Sequence, residues 1–172
     1  LYKLLSTLII CAVIVAALTL FFRVDTIVVT GEERYTEEEV AAATGVAQGD
    51  NLFLLNKRDV DTNIKRELPY VEDTRINKKL PDVLLVEIVK ECKTPLAVIQ
   101  DGSAWLVSAR GKIVEQRPVN EAADCGTITG CQLLAPSVGT KLALATEYEG
   151  QQESLLELMK ALEKAGILDK VN

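Results

Sequence analysis

The chain has 172 residues, 48% of them hydrophobic and 26% charged, with a formal net charge of −6 and no histidine. That length admits one large domain or two small ones. The missing histidine excludes Ser-His-Asp and Cys-His nucleophilic systems and histidine-ligated zinc or haem.

The first predicted element is an uncharged run from Leu4 to Phe22, LLSTLIICAVIVAALTLFF, whose only polar side chains are Ser6, Thr7 and Thr19. At a rise of about 1.5 Å per residue it spans roughly 28 Å, close to a bilayer core of about 30 Å. In lipid the backbone must satisfy its own hydrogen bonds, so the segment is expected to be a helix. A buried core helix would rarely be apolar on every face over this length. A cleaved signal peptide has a shorter apolar region and ends in small residues, whereas this run ends in Leu20, Phe21, Phe22 and Arg23. The sequence therefore predicts a retained anchor in the lipid bilayer. Lys3 and Arg23 flank it evenly and leave its orientation open. Because the chain begins at Leu1 rather than Met, a preceding segment is expected. Only Lys3 and Arg23 of the 19 Lys and Arg precede residue 24, so the chain from Val24 onward has 17 cations against 25 carboxylates, a net of −8. Such a domain is a poor ligand for nucleic acid or anionic lipid.

Val24 to Val29 reads as a strand. Thr36 and Glu39 form a capping box, predicting a short helix over Glu37 to Thr44 that Gly45 ends. VAQGDNLF is a turn, after which Leu52 and Phe53 are expected to plug the core. A second helix runs from about Lys57 to Glu67, with Val60, Ile64 and Leu68 on one face and Pro69 as its stop. Val71 to Asn77 and Val83 to Lys90 are two strands. The second, apolar except for Glu87, suits a central position; the first, more polar, suits an edge.

Pro95 opens a second unit. PLAVIQ, AWLVS and KIVEQ are three short strands in an antiparallel meander, separated by Asp101-Gly102 and Ala109-Arg110-Gly111 turns. Trp105 is expected in the core. Residues 118 to 141 are turn-rich and carry no clear element. From about Glu147 to Ala165 a helix returns, with Leu155, Leu158, Met159 and Leu162 as its apolar face, Gly166 as C-cap, and Thr146 with Glu149 as a further capping box. A meander with one helix would leave an open sheet edge, so further strands are expected beyond Asn172.

Chemistry is hard to find. Gly45 to Gly49 lacks the Gly-Lys-Ser/Thr of a phosphate loop. DVDTN at Asp59 to Asn63 mimics the start of a calcium loop, but Lys65-Arg66 enters where ligands should continue and no glycine takes the sixth position; it reads as a polar helix face. Ser108 with Lys112 is the remaining catalytic idea, a dyad without a visible oxyanion hole. Glu37, Glu38 and Glu39 suit a helix start rather than a metal cluster. No catalytic, cofactor or metal site is therefore predicted, and no small-molecule substrate. Cys125 and Cys131 bracket GTITG and could close a disulfide in an oxidising compartment or remain thiols, with Cys92 left over; spacing leaves both open. What remains is surface. The strand with Val71, Glu72, Thr74, Arg75, Ile76 and Asn77 is a candidate edge to which a partner could add a strand.

FRVDTIVVTGEERYTEEEV, TGVAQGDNLFLLN, LPYVEDTRINKKLPDVLLVEIVKE and AWLVSARGKIVE together resemble the FtsQ/DivIB family of bacterial cell-division proteins. The match is clear to about Glu115 and weaker through Thr127 to Gly130 and the late helix. The resemblance implies an α+β chain: an anchor (1–23), a polypeptide-transport-associated (POTRA) domain of strand-helix-helix-strand-strand order (24–91), and a C-terminally incomplete β-domain (92–172). It implies a type II, single-pass protein of the plasma membrane, with its soluble part extracytoplasmic, at the division septum. It also implies a non-enzymatic divisome scaffold that binds bitopic proteins of the FtsB/DivIC and FtsL type and supports septal peptidoglycan synthesis. In the family the main docking edge lies on late strands of the β-domain, and this sequence ends before them. Two other readings compete: a POTRA-type module that binds polypeptides in translocation or envelope assembly, and an envelope enzyme built on Ser108 and Lys112.

Overall fold

The computed structural model describes residues 2–31 and 34–168. The expectations about segments before Leu1 and after Asn172 lie outside these residues. The chain divides into two compact units. One holds the described residues up to 64 together with 74–89, and the other holds 65–73 and those from 90 onward.

In the first unit, α1 spans Tyr2–Phe21. Its apolar side chains are exposed along its length, which removes the core-helix reading, and it is long and apolar enough to cross a membrane. Both of its threonines bond to the helix's own backbone. The hydroxyls of Thr7 and Thr19 donate to the carbonyls of Lys3 (2.9 Å) and Val15 (3.0 Å), and Arg23 Nε donates to the Thr19 carbonyl (3.4 Å) at the helix end.

Strand β1 is Thr26–Thr30. It starts later than expected because Val24 is engaged elsewhere. The Val24 N–H donates to Asp50 O, and its carbonyl accepts from the Gly49 N–H, both at 2.8 Å. Helix α2, Glu37–Ala43, begins on the predicted capping box. The Glu39 N–H donates to Thr36 Oγ1 (3.2 Å) and the Thr36 N–H to Glu39 Oε2 (2.8 Å). Helix α3, Lys57–Glu67, buries Val60 and Ile64, and Leu68 just beyond is buried too. Strands β2 (Val71–Lys79) and β3 (Val83–Glu91) come next. The sheet order is β1-β3-β2, with β1 parallel to β3 and Thr26 opposite Val83. The apolar strand is thus central and the polar one at an edge, as their patterns predicted. Leu84, Val86 and Ile88 of β3 are buried, as are Val29, Val40 and Ile76 on its neighbours. Gly31 has φ +79°, and a Cβ there would collide with the Ile88 carbonyl, so glycine is required where β1 ends.

The predicted plug is half right. Leu52 is fully buried, but Phe53 is 53% exposed. Asn51 Oδ1 accepts from the N–H groups of Phe53 (2.9 Å) and Leu54 (3.2 Å), an Asx turn that swings the ring away from the core. The ring meets Phe22 edge-on instead, at a centroid separation of 4.6 Å.

In the second unit, β4 (Leu96–Gln100), β5 (Ser103–Val107) and β6 (Ile113–Pro118) form the expected meander. Asp101 and Gly102, at φ 51° and 76°, make the tight turn their sequence predicts. Gly111 has φ +77°, and a Cβ there would strike Leu156. Trp105 is half-buried against the core. The turn-rich segment supplies a short strand, β7 (Thr127–Ile128), parallel to β4, so the sheet order is β6-β5-β4-β7 and the outer edge of β4 is partly covered.

Helix α4 spans Gln152–Ala165, preceded by a 3-10 turn over Thr146–Gln151. The second capping box does not form. The Tyr148 N–H bonds the Ala145 carbonyl (2.7 Å) in the 3-10 manner, and no side chain caps either start. A tight turn satisfies its donors from the backbone and offers Thr146 no α-helical N–H to accept from. The predicted apolar face is also rotated. Met159 is buried, with Leu155 and Leu162 half-buried beside it, but Leu158 is 56% exposed and Leu156 packs in its place. Residues lie about 100° apart around a helix, so the buried arc is centred toward Leu156. Gly166, at φ +65°, ends α4 as predicted.

Candidate interaction surface

Strand β2 lies at the edge of its sheet. Of its predicted binding residues, Val71, Glu72 and Ile76 are buried, Thr74 and Asn77 half-buried, and Arg75 exposed. The Thr74 hydroxyl donates to Asp61 Oδ1 (2.6 Å), and Arg75 Nη1 pairs with Glu87 Oε2 (2.9 Å). The strand is therefore an edge strand whose apolar Val71 and Ile76 are buried while Arg75 and Lys79 are exposed.

Glu72 has a role that its sequence position does not announce. Its side chain is 1% exposed and lies between Lys90 Nζ (3.2 Å) and Arg110 Nε (3.4 Å). Lys90 also reaches Glu163 Oε2 (2.8 Å). Burial by itself would lower the Lys90 pKa, but the carboxylates of Glu163 and Glu72 outweigh it and hold the ammonium above its ordinary value. A buried carboxylate is tolerated when cations compensate its lost hydration. Lys90, Arg110 and Glu163 are too far along the chain for spacing to have revealed the group.

Ser108 and Lys112, the pair set aside as a catalytic idea, are each engaged with backbone groups. Ser108 is fully buried, and its Oγ accepts from the backbone N–H of Lys112 (3.3 Å). The Lys112 ammonium donates to the carbonyls of Lys65 and Val71. The pair stabilises a turn and a chain crossing. Asp59 to Asn63 lies within α3, where Asp61 serves Thr74 and Asn63 Nδ2 donates to the Thr44 carbonyl (3.3 Å). Among the described residues no group of three His, Cys, Asp or Glu is placed to hold a metal ion. An open cleft of about 320 Å³ lies between the end of α2, the loop over 50–56 and α3, lined by Gly45, Asp50, Leu54, Asp59 and Asn63 among others.

Cys125 and Cys131 are half-buried thiols, not bonded to one another. Burial pushes both thiol pKa values up, and the Asp124 carboxylate, which accepts from Cys125 Sγ at 3.7 Å, raises that of Cys125 further.

Comparison with known proteins places the fold. The model of the POTRA domain, FtsQ-type, matches residues 22–90. The cell division protein FtsQ of Corynebacterium glutamicum is 26% identical over 161 residues, which cover 92% of this chain and 72% of that protein. Cell division protein DivIB of Clostridium botulinum is 26% identical over 88% of this chain and 55% of its own length. FtsQ of Geotalea daltonii is 28% identical over 65% of this chain and 40% of its own length. The chain thus spans between two fifths and three quarters of these relatives. The strand-helix-helix-strand-strand order and its central β3 agree with that match: residues 22–90 match the FtsQ-type POTRA domain, and the chain is similar to the cell division proteins FtsQ and DivIB.

Proposed function

We propose that the chain is a membrane-anchored scaffold of the bacterial division machinery. One observation carries the reading: an FtsQ-type POTRA unit, matched over residues 22–90, comes directly after a helix able to span a bilayer. The names of the relatives support a role in division. In this reading the protein is type II, with Arg23 on the outer side and the POTRA unit extracytoplasmic at the septum. Its partners are small bitopic proteins of the FtsB/DivIC and FtsL type, through which it supports septal peptidoglycan synthesis. Strand addition to the outer edge of β2, along Thr74 to Lys79, is a docking mode open to such a partner, because edge strands present backbone donors and acceptors.

Conditional depletion in the bacterium that carries the chain tests the reading. Filamentous cells with unfinished septa are expected; normal division on depletion sinks it. A pull-down with the solubilised full chain should recover small bitopic division proteins. Recovery of unfolded exported polypeptides instead would favour the translocation module.

A further inference from the structure

The loop over 50–55 breaks the pattern of the first unit, because it turns apolar side chains outward beside the end of α1. Leu54 is 82% and Phe53 53% exposed. The loop is strapped to the chain that leaves the helix. The Leu52 N–H donates to the Phe22 carbonyl (2.9 Å), the Val24 N–H donates to the Asp50 carbonyl (2.8 Å), and Arg23 pairs with Asn51 in an antiparallel bridge. The Phe22 and Phe53 rings meet edge-on. A second loop is tied to the same segment, since the Asp25 N–H donates to the Asp82 carbonyl (2.9 Å), and it exposes Leu80 at 57%.

The first loop is also held in shape from beneath. Lys78 Nζ donates to the carbonyls of Phe53 (3.2 Å) and Leu55 (2.6 Å). Burial, and then the charge of Lys57, lower the pKa of that ammonium, so its backbone contacts are made against an electrostatic cost. A loop fixed by an Asx turn and a lysine clamp, yet presenting a phenylalanine and a leucine to the outside, is organised to meet something apolar.

The position of the loop identifies the surface it meets. The 20 residues of α1 are about 30 Å long, the thickness of a bilayer core, so Phe21 and Phe22 stand at its boundary. A loop hydrogen-bonded to Phe22 is therefore at the interface as well, where aromatic rings are favoured and apolar side chains can enter the headgroup–acyl boundary. Charge does not oppose this. Arg23, Lys57, Arg58, Lys78 and Lys79 in these segments balance Asp25, Asp50, Asp59 and Asp82, while the whole chain has 19 cations against 25 carboxylates.

We propose that Phe53 and Leu54, with Leu80 beside them, dip into the bilayer interface next to the exit of α1, giving the POTRA unit a second, monotopic hold on the lipid surface. Lys78 is the positioning residue that keeps the loop in its inserting shape. The inference rests on α1 being a retained span.

The full chain reconstituted in phosphatidylcholine vesicles with brominated acyl chains tests both readings separately. Three single variants, Ile10→Trp, Leu54→Trp and Phe53→Trp, are compared with the unsubstituted chain to remove the emission of Trp105. Bromine should quench the tryptophan of Ile10→Trp strongly. It should remove on the order of half the emission of the other two, with a blue shift and weak quenching by aqueous acrylamide, as expected for side chains about 5–10 Å into the boundary region. Adding Lys78→Met to Leu54→Trp should reduce the bromine quenching. If Ile10→Trp escapes bromine, the anchor reading itself fails. If Ile10→Trp is quenched while both loop variants escape bromine, the lipid contact is overturned. That holds whether acrylamide reaches them, which means open water, or does not, which means a second copy or a protein partner.

Discussion

The two units build their cores by different means. In the first, most large buried side chains stand on a periodic element, Val29 on β1, Val40 on α2, Ile64 on α3, Leu84 and Val86 on β3, with Val24 and Leu52 as the exceptions. In the second, the sheet residues Val98, Val107 and Ile113 share their core with Leu133, Leu142 and Leu144, which lie on no helix or strand. Those loop residues are held by specific hydrogen bonds instead. The Gln100 amide donates to the Leu133 carbonyl (3.2 Å) and accepts from its N–H (2.7 Å), imitating a strand neighbour. Gln152 Oε1 accepts from the Leu144 N–H (3.0 Å), and the Leu142 N–H donates to the Gly111 carbonyl (2.7 Å). Buried backbone must be paired, but side-chain amides and isolated bridges can do the pairing. Irregular chain can therefore be core chain.

The sharpest way to break this comparison is to damage each core in turn. Ile76→Pro should have the largest effect. It removes a buried side chain, worth about 2–5 kcal/mol, and places a ring in a strand that cannot spare the geometry. Denaturant unfolding of the full chain in detergent should show the first unit lost; a melt matching the parent would refute the strand assignment. Leu84→Ala and Leu144→Ala should each cost about 2–5 kcal/mol, since Leu84 is completely and Leu144 almost completely buried. A cost under about 1 kcal/mol for Leu144→Ala, typical of a surface site, would mean that the loop is a cover and not core.

The same contrast explains what could be read from the sequence. The first unit was legible because hydrophobic period, capping and turn residues coincide there with burial: the Thr36–Glu39 box, the Val60–Ile64–Leu68 face and the apolar β3 all mark positions that the structure uses. Phe53 misled because an apolar residue after a turn normally enters the core, whereas here the Asn51 side chain bonds its neighbours' N–H groups and the Phe53 ring lies against Phe22. In the second unit the meander announced itself through Asp101-Gly102, while β7 is too short to show a period. Leu133 and Leu144 are held in the core by glutamines from outside their own segment, which no local pattern reveals. The buried Glu72 was invisible for the same reason, as one acidic residue among several on a polar strand.

Two potential capping boxes sharpen the point at smaller energies. Thr36 and Glu39 bond reciprocally at the start of α2, whereas Thr146 and Glu149 sit in a 3-10 turn and cap nothing. Thr36→Ala should therefore cost about 1 kcal/mol, the typical worth of a hydroxyl N-cap. Thr146→Ala, at an exposed position that is part of neither a cap nor a core, should stay within about 0.5 kcal/mol. Equal costs would mean that identical local patterns act identically whatever backbone they meet, against the structure.

The gentlest probe is chemical. Cys125 and Cys131 belong to the irregular part of the second unit, and burial holds both thiols above their ordinary pKa. The thiolate is the nucleophile, so iodoacetamide should label them slowly near neutral pH and faster as pH climbs, with the rate still rising beyond the ordinary thiol value. The same shift sets the sign for stability. Because the folded pKa values are raised, the unfolded chain ionises first, and stability held at neutral pH falls as pH rises past the ordinary thiol value toward the folded one. Mass spectrometry after alkylation should give the same mass with and without prior reductant, since both sulfurs are thiols in the structure. A mass gain that requires reductant would show that the two are bridged, and the loop between them would then be fixed by a covalent bond rather than by the buried side chains and amide pairs that hold the rest of this segment.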